Sequence, residues 1–84
     1  MSPKSKKLSV TSSEDTYLMG AGLKAFTVIN EGTTTCQVDF DRSVTDDSWQ
    51  LLAGQGIELE ASVIRLFFKT SSGTTTLRVL KVLP

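Results

Sequence analysis

The sequence predicts a small all-β protein: an antiparallel β-sandwich or barrel of about six to seven short strands, with an extended N-terminal arm. Ser and Thr supply 10 and 11 of the 84 residues, and β-branched Thr suits a strand face that is turned to water. Several runs alternate apolar and polar residues, whereas no stretch keeps the helical spacing i, i+3, i+4, i+7 for three turns. Turn sequences that contain Gly separate these runs, as expected for short antiparallel strands.

The first residues predict an arm, residues 1–15, and the remainder a single sandwich domain, residues 16–84. The arm is polar apart from Leu8 and Val10, and Pro3 opposes regular structure at its beginning. Because Leu8 and Val10 share one face of an extended segment, the arm could add as a strand to a sheet edge of the same chain or of a neighbour.

Two runs in the first half of the domain predict a hairpin. In residues 23–30, Phe26 and Val28 lie on one strand face, and a turn sequence follows at residues 30–32. Residues 33–41 then alternate, with Cys36 and Val38 pointing inward. Two adjacent runs of this kind predict paired strands with one buried face.

The second half repeats this arrangement after a polar loop at residues 42–48 and a short strand at residues 57–60. Residues 63–70 and 74–83 predict a second hairpin, and the pattern Gly-Thr-Thr-Thr-x-x-Val occurs both at 32–38 and at 73–79. The repeat indicates a duplicated hairpin or a chance recurrence in a Thr-rich chain. The predicted core consists of inward apolar side chains: Phe26, Val28, Cys36, Val38, Phe40, Trp49, Leu51, Ile57, Leu59, Ile64, Leu66, Phe68 and one face of 77–83.

The last strand is apolar on both faces, since Leu80 and Val82 oppose Leu77, Val79 and Leu83. One face is expected to pack in the core and the other against a neighbour, because a small monomer rarely exposes a large apolar patch. We therefore predict a partner-binding surface that combines the arm with this strand: Pro3, Lys4, Lys6, Lys7, Leu8, Val10, Leu77, Val79 and Leu83.

Charge is balanced overall but segregated along the chain. Nine Lys and Arg residues balance nine Asp and Glu residues, yet residues 31–60 carry seven acids and residues 61–84 carry four bases and no acid. Such segments can neutralise each other between strands of one chain or between copies of the chain.

The composition argues against an enzyme and against a bound cofactor or metal. The chain has no His and a single Cys, which removes imidazole chemistry, a disulfide framework and a cysteine zinc site. The acids Asp39, Asp41, Asp46 and Asp47 lack the spacing of a calcium loop and are expected to form a solvated rim. No apolar run reaches the ~20 residues of a membrane span, and a zero net charge makes nucleic acid an improbable partner.

Several segments together resemble small β-sandwich virion proteins of tailed bacteriophages, in which a V-x-N-x-G turn is followed by W-x-x-x-A-G-x-x-I and a closing S-G-T-x-x-x-R-V. The resemblance covers residues 23–82 and is carried by turn sequences and strand alternation in Phe26–Thr33, Cys36–Asp41, Asp47–Leu59 and Lys69–Val79. It implies a homo-oligomer, often a trimer, that docks on a larger shell and has no catalytic residues.

The sequence therefore predicts a phage virion structural protein, most simply a capsid decoration or cement subunit that is assembled in the bacterial host cytoplasm. Its expected partners are other copies of itself and the major capsid protein or another virion protein. The arm is expected to lie on a neighbouring subunit, its lysines meeting an acidic surface, so deleting residues 2–12 should abolish attachment and leave the fold intact. Two alternatives remain: a tail or fibre component that binds a host or tail partner, and a single-strand nucleic-acid-binding β-barrel.

Overall fold

The protein folds into eight antiparallel β-strands arranged in two sheets. The computed structural model describes residues 2–20, 25–60 and 63–83, with only the backbone described for residues 2–4 and 83. These residues contain no helix. The strands are β1 Ser2–Val10, β2 Asp15–Leu18, β3 Ala25–Asn30, β4 Cys36–Phe40, β5 Trp49–Leu51, β6 Gly56–Leu59, β7 Arg65–Thr70 and β8 Thr75–Leu83.

The strand order is that of a jelly roll. One sheet has the order β1-β8-β3-β6, which we call sheet A, and the other has the order β2-β7-β4-β5, which we call sheet B. Every consecutive pair of strands except β4 and β5, which are neighbours in sheet B, therefore crosses from one sheet to the other, as in an eight-stranded double Greek key. At the corner after β1, the Thr70 amide donates to the Thr11 carbonyl at 2.9 Å, which joins the two sheet edges. The all-β sandwich predicted from the sequence is confirmed.

The core lies between the two sheets and contains the inward residues of both. The Phe26 ring from sheet A meets the Phe40 ring from sheet B in a tilted pair with centroids 5.3 Å apart. Around them the inward side chains alternate with polar ones along each strand, which is the pattern of strands with one buried face. The fully buried cluster comprises Val10, Met19, Phe26, Val28, Cys36, Val38, Leu51, Leu66, Phe68, Leu77 and Val79.

Most of the predicted core is confirmed, but two of its members are exposed. Trp49 and Ile64 have 52% and 57% of their surfaces exposed, because Trp49 lies on the edge strand β5 and Ile64 precedes β7. Three buried apolar side chains were missed: Val10 in the predicted arm, Met19 after β2 and Val44 in the loop before β5. The first two residues of the predicted strand 23–30 lie outside the described residues.

The two predicted hairpins are wrong. β3 pairs with β6 and β8, and β4 pairs with β5 and β7, so the turn after Asn30 connects the two sheets. The turn before β8 does the same, since β7 belongs to sheet B and β8 to sheet A. Alternation reveals which face of a strand is buried, but it does not reveal which strand it pairs with.

The two Gly-Thr-Thr-Thr turns lie side by side at one end of the sandwich. The Glu31 amide donates to the Thr76 carbonyl at 2.8 Å. Gly32 sits so close to Thr75 that a Cβ at this position would overlap the Thr75 hydroxyl. The repeat therefore has a structural meaning, since its two copies pack against each other.

Candidate interaction surface

The predicted arm is an edge strand of its own chain. Ser2–Val10 pairs antiparallel with Thr75–Leu83 over its full length, so that Lys6 opposes Val79 and Leu8 opposes Leu77. Val10 is fully buried and Leu8 is half-buried against the core, whereas Lys6 and Lys7 are exposed. The sequence had left open which sheet edge the arm joins, and here it joins the edge of sheet A in the same chain. It is thus part of the sandwich rather than a separate segment.

Three of the predicted partner-binding residues are described by their backbone alone. Pro3 opposes Val82, Lys4 opposes Lys81, and Leu83 opposes Ser2. All three belong to the β1–β8 pair, so the arm and the last strand pair within one chain, whereas the sequence predicted an arm that lies on a neighbouring subunit.

The structure corrects the assignment of Leu77 and Val79 to a partner surface. Both side chains are fully buried inside the chain, since β8 is an inner strand of sheet A and these residues share its inward face with Val28 and Leu8. The opposite face of β8 points out of the sandwich and carries Leu80, which is 39% exposed, and the half-buried Val82. The last strand is apolar on both faces as predicted. However, the face that was predicted to bind a partner lies in the core, and the other face is the exposed one.

The outer face of sheet A can be read row by row from the strand register. One row crosses the sheet as Ser5, Leu80, Thr27 and Glu58. The next row is Lys7, Arg78, Ile29 and Gly56. Ala25 and Val82 pair in the row before Leu80. The two inner strands therefore carry the apolar side chains together with Arg78 and Thr27, and the edge strands carry the charged residues Lys7 and Glu58.

Arg78 is neutralised on this face by its own chain. Its Nε donates to Glu31 Oε1 at 3.2 Å and its terminal nitrogen donates to Ser5 Oγ at 3.1 Å. Lys7 lies directly opposite Arg78 in the register, and like charges in this position destabilise a strand pair. The edge of the sheet at β1 is therefore electropositive and would be stabilised by an approaching anion.

The interior of the sandwich contains no evident set of catalytic or metal-binding groups within the described residues. None of them forms a group of three or more acidic or Cys side chains suited to a metal ion. At the open end, Lys81 extends between the sheets, where its Nζ lies 4.9 Å from the Tyr17 ring centroid and donates to the Met19 carbonyl at 3.1 Å. Burial raises the pKa of the Cys36 thiol to about 11, which leaves it protonated and unreactive at neutral pH.

The acidic rim predicted around Asp39 is in part a buried hydrogen-bonded cluster. The Asp39 carboxylate is almost fully buried and accepts hydrogen bonds from Ser48 Oγ, the Phe40 amide and Arg42 Nε, each at 2.8 Å. Burial by itself would raise the pKa of this carboxyl, but these hydrogen bonds and the Arg42 charge hold its pKa below the usual value. The cluster anchors the 41–48 loop to sheet B and has no free carboxylate oxygen to offer a ligand.

A shallow, hydroxyl-rich pocket of about 440 Å³ opens beside the two Gly-Thr-Thr-Thr turns. Its lining includes Ser9, Thr11, Thr33, Thr74 and Thr76. These side chains offer hydroxyl groups, but no charged or aromatic side chain is among the lining residues.

No protein-family model matches the chain, and no curated protein is similar to it in sequence. Solved structures do share the fold. A regulator of the HTH_3 family from Vibrio cholerae matches 98% of this chain at 12% identity with a TM-score of 0.71, but this chain spans only 43% of it. A protein from Shewanella frigidimarina with a cupin-2 domain matches 93% of this chain and 68% of its own at 14% identity and a TM-score of 0.61.

A prophage-derived protein, YomS of SPBc2, matches 96% of this chain and 95% of its own, with 12% identity and a TM-score of 0.56. The other similar structures include several cupin proteins, the cobalt form of HppE with substrate, and a Bacillus endospore appendage. At these identities the likeness shows a shared jelly-roll fold alone.

Proposed function

We propose that this chain is a non-catalytic structural subunit of a phage virion that decorates the shell and associates with copies of itself. The observation that carries the proposal is the distribution of side chains on the jelly roll. Its interior is filled by an apolar core, with Lys81 and Tyr17 at the open end. Exposed apolar and basic side chains lie on the outside, where they suit protein contacts. The likeness to YomS supports it, because the two chains match over nearly their full lengths.

Attachment is assigned to the basic edge at β1, which displays Lys7 opposite Arg78 on the outer face and the exposed Lys6 on the other face of the strand. Lysines on an edge strand also discourage unwanted strand pairing, so their presence alone does not define a binding site. Arg78 is already paired with Glu31, so the charge that an acidic partner would meet on the outer face of this edge is that of Lys7. An acidic patch on a shell protein fits this edge.

The proposal is tested on particles banded in a density gradient from cultures of the source organism, probed with an antibody against the chain. The chain is expected in the particle band. Recombinant chain mixed with these particles should co-sediment, and Lys6→Glu with Lys7→Glu should reduce the bound fraction severalfold at low salt, where surface charges are least screened. Lys69→Glu on sheet B serves as the matched control and should bind as the unaltered chain does. A chain found only outside the particle band would refute the proposal.

A second candidate is a tail or fibre component, which exposed aromatic side chains would favour. Trp49 is the only Trp of the chain, and half of its surface is exposed on the edge strand β5. Aromatic rings of this kind commonly contribute to binding surfaces. Titrating purified bacterial surface polysaccharide into the protein should then shift the Trp49 fluorescence and saturate, whereas a flat titration would count against this candidate.

A further inference from the structure

The outer face of sheet A has the anatomy of a protein interface. Leu80 and Ile29 lie on the inner strands β8 and β3, next to Val82 and Ala25. Gly56 borders Ile29 with no side chain of its own, and a Cβ there would come within 3.1 Å of Ile29. The apolar part of the face is a strip of Ala25, Val82 and Leu80, with Ile29 diagonal to Leu80. Thr27 and the ion-paired Arg78 lie beside this strip on the inner strands, and charged residues lie at the two edges, as in interfaces with a mainly apolar core and a polar rim.

The charges at the two edges of this face are opposite in sign. Lys7 lies on β1, and Glu58 lies on β6, three strands away. At ~4.8 Å per strand the two edges are about 14 Å apart, which is too far for an ion pair across one copy of the face. The two rows that contain Lys7 and Glu58 are neighbours along the strands.

We propose that this face binds a second copy of the chain around a two-fold axis parallel to the strands. A rotation of this kind places β1 of one copy opposite β6 of the other and preserves position along the strands. Each Lys7 then lies opposite the partner's Gly56 and one row, about 7 Å, from the partner's Glu58, which its long side chain can reach. The two apolar strips pack against each other at the ~10 Å spacing of stacked sheets. Each Lys7, which opposes Arg78 in its own sheet, then gains a carboxylate, and the interface is self-complementary, as a two-fold axis requires.

The size of the face sets the strength of this dimer. Four strands of about six paired residues cover roughly 500 Å² per copy, which is near the lower limit for a specific interface. The pure protein is therefore expected to dissociate in the micromolar range, and its mass must be measured over a range of concentrations.

The proposal is tested by measuring the mass of the protein by light scattering after size-exclusion chromatography. Protein concentrations from about 1 to 500 μM bracket the dissociation constant expected of a small interface. The unaltered chain should approach twice 9.1 kDa at the highest concentration. Leu80→Asp should raise the dissociation constant at least about 30-fold, as loss of a central anchor does. Leu18→Asp is the matched control, because Leu18 is 56% exposed on sheet B, and it should leave the dimer unchanged.

The charge pair is tested by exchange. Lys7→Glu and Glu58→Lys should each weaken the dimer about 5-fold, since each removes two rim ion pairs per dimer, and the double variant should restore it. Both positions are exposed, so the variants should fold, as circular dichroism would verify. A monomer at every concentration, equal effects of Leu80→Asp and Leu18→Asp, or a double variant as weak as the single ones would overturn the proposal. The inference rests on the self-association in the proposed function. Leu80→Asp and Glu58→Lys leave the basic edge at β1 unaltered, so particle binding measured with these two variants distinguishes loss of the dimer from loss of attachment.

Discussion

Asn30 is the residue on which the packing of the two turns depends. Its side chain is fully buried and makes four hydrogen bonds. Nδ2 donates to the carbonyls of Thr34 and Leu51 at 2.8 and 2.9 Å, and Oδ1 accepts from the Gly32 amide and the Thr75 hydroxyl at 3.1 and 2.7 Å. These bonds connect β3, β5 and β8 at one end of the sandwich. The sequence marked Asn30 only as a turn residue, since its partners are up to 45 positions away and no local pattern reveals them.

Removing this amide should be costly because the Leu51 carbonyl and the Thr75 hydroxyl would be left buried without their partner and two half-buried groups would lose theirs. We expect Asn30→Ala to lower the free energy of unfolding by about 3 kcal/mol, the range for leaving several buried polar groups without partners. Urea unfolding followed by circular dichroism measures the change. Gln50→Ala is the control, because Gln50 is exposed, and it should cost less than about 0.5 kcal/mol. Equal costs would mean that the Asn30 network does not form.

Asp39 gives the fold a dependence on acid. Its folded pKa lies below the usual value, whereas in the unfolded chain it is about 3.9. Its contribution to stability is therefore complete above pH ~4 and is lost as the pH falls through the folded pKa. Asp39→Asn should be less stable than the unaltered chain at pH 7, and the gap should narrow below pH ~4. Urea midpoints measured from pH 7 to pH 3 test this, and a gap that is constant with pH would contradict it.

At the scale of elements, the alternation of apolar and polar residues was sufficient to predict most strands but not their partners. Phe26, Val28, Cys36 and Val38 are inward as predicted. The two faces of β8 were interchanged because both are apolar, and only the position of β8 between β1 and β3 decides which one faces the core. The exposed patch on sheet A could not be predicted from the sequence either, because it is assembled from β3 and β8, which are far apart in sequence.

The structure places the predicted arm, strand β1, within the sandwich of its own chain. Val10 is fully buried in the core, and β1 covers one edge of β8. Removing residues 2–12 should therefore destabilise the fold, whereas the sequence alone predicted that the fold would survive this deletion. A single substitution at Val10 distinguishes a strand β1 that packs in its own chain from one that lies on a neighbouring copy more clearly than the deletion does.

We expect Val10→Ala to lower the unfolding free energy of the monomer by about 2 kcal/mol, because it leaves a cavity in a packed core. Ser9→Ala, its exposed neighbour on the outward face, should cost less than about 0.5 kcal/mol. Unfolding is measured at a protein concentration low enough to exclude dimers. If β1 lay on a neighbouring copy, Val10→Ala would alter association and leave the stability of the isolated monomer nearly unchanged.

For the molecule as a whole, the two ends of the chain meet. Ser2 opposes Leu83 in the register of β1 and β8, so the strands that are most distant in sequence are neighbours in sheet A. Closing such a long loop costs conformational entropy before any pairing is gained, which slows the folding of β-proteins. It also leaves β1 free, in principle, to pair with β8 of another copy.

A circular permutant distinguishes pairing within the chain from exchange between chains. It begins at Ser13, ends at Ser12, and joins the old ends by a short Gly-rich linker, so that β8 and β1 become a hairpin. The cut falls in an exposed loop, where such changes are best tolerated. With the longest-range pairing made local, we expect the permutant to refold severalfold faster than the natural chain order, as measured by stopped-flow dilution from urea.

The permutant should also keep the dimer formed through sheet A, because the short linker confines β1 to its own β8 and the outer face is unaltered. A permutant that folds but stays monomeric at concentrations where the natural order is dimeric would show that association works by exchange of β1. In that case Leu80 and Ile29 would not form the contact. A permutant that dimerises and then loses the dimer with Leu80→Asp would place the interface on the outer face of sheet A, independently of how the chain is connected.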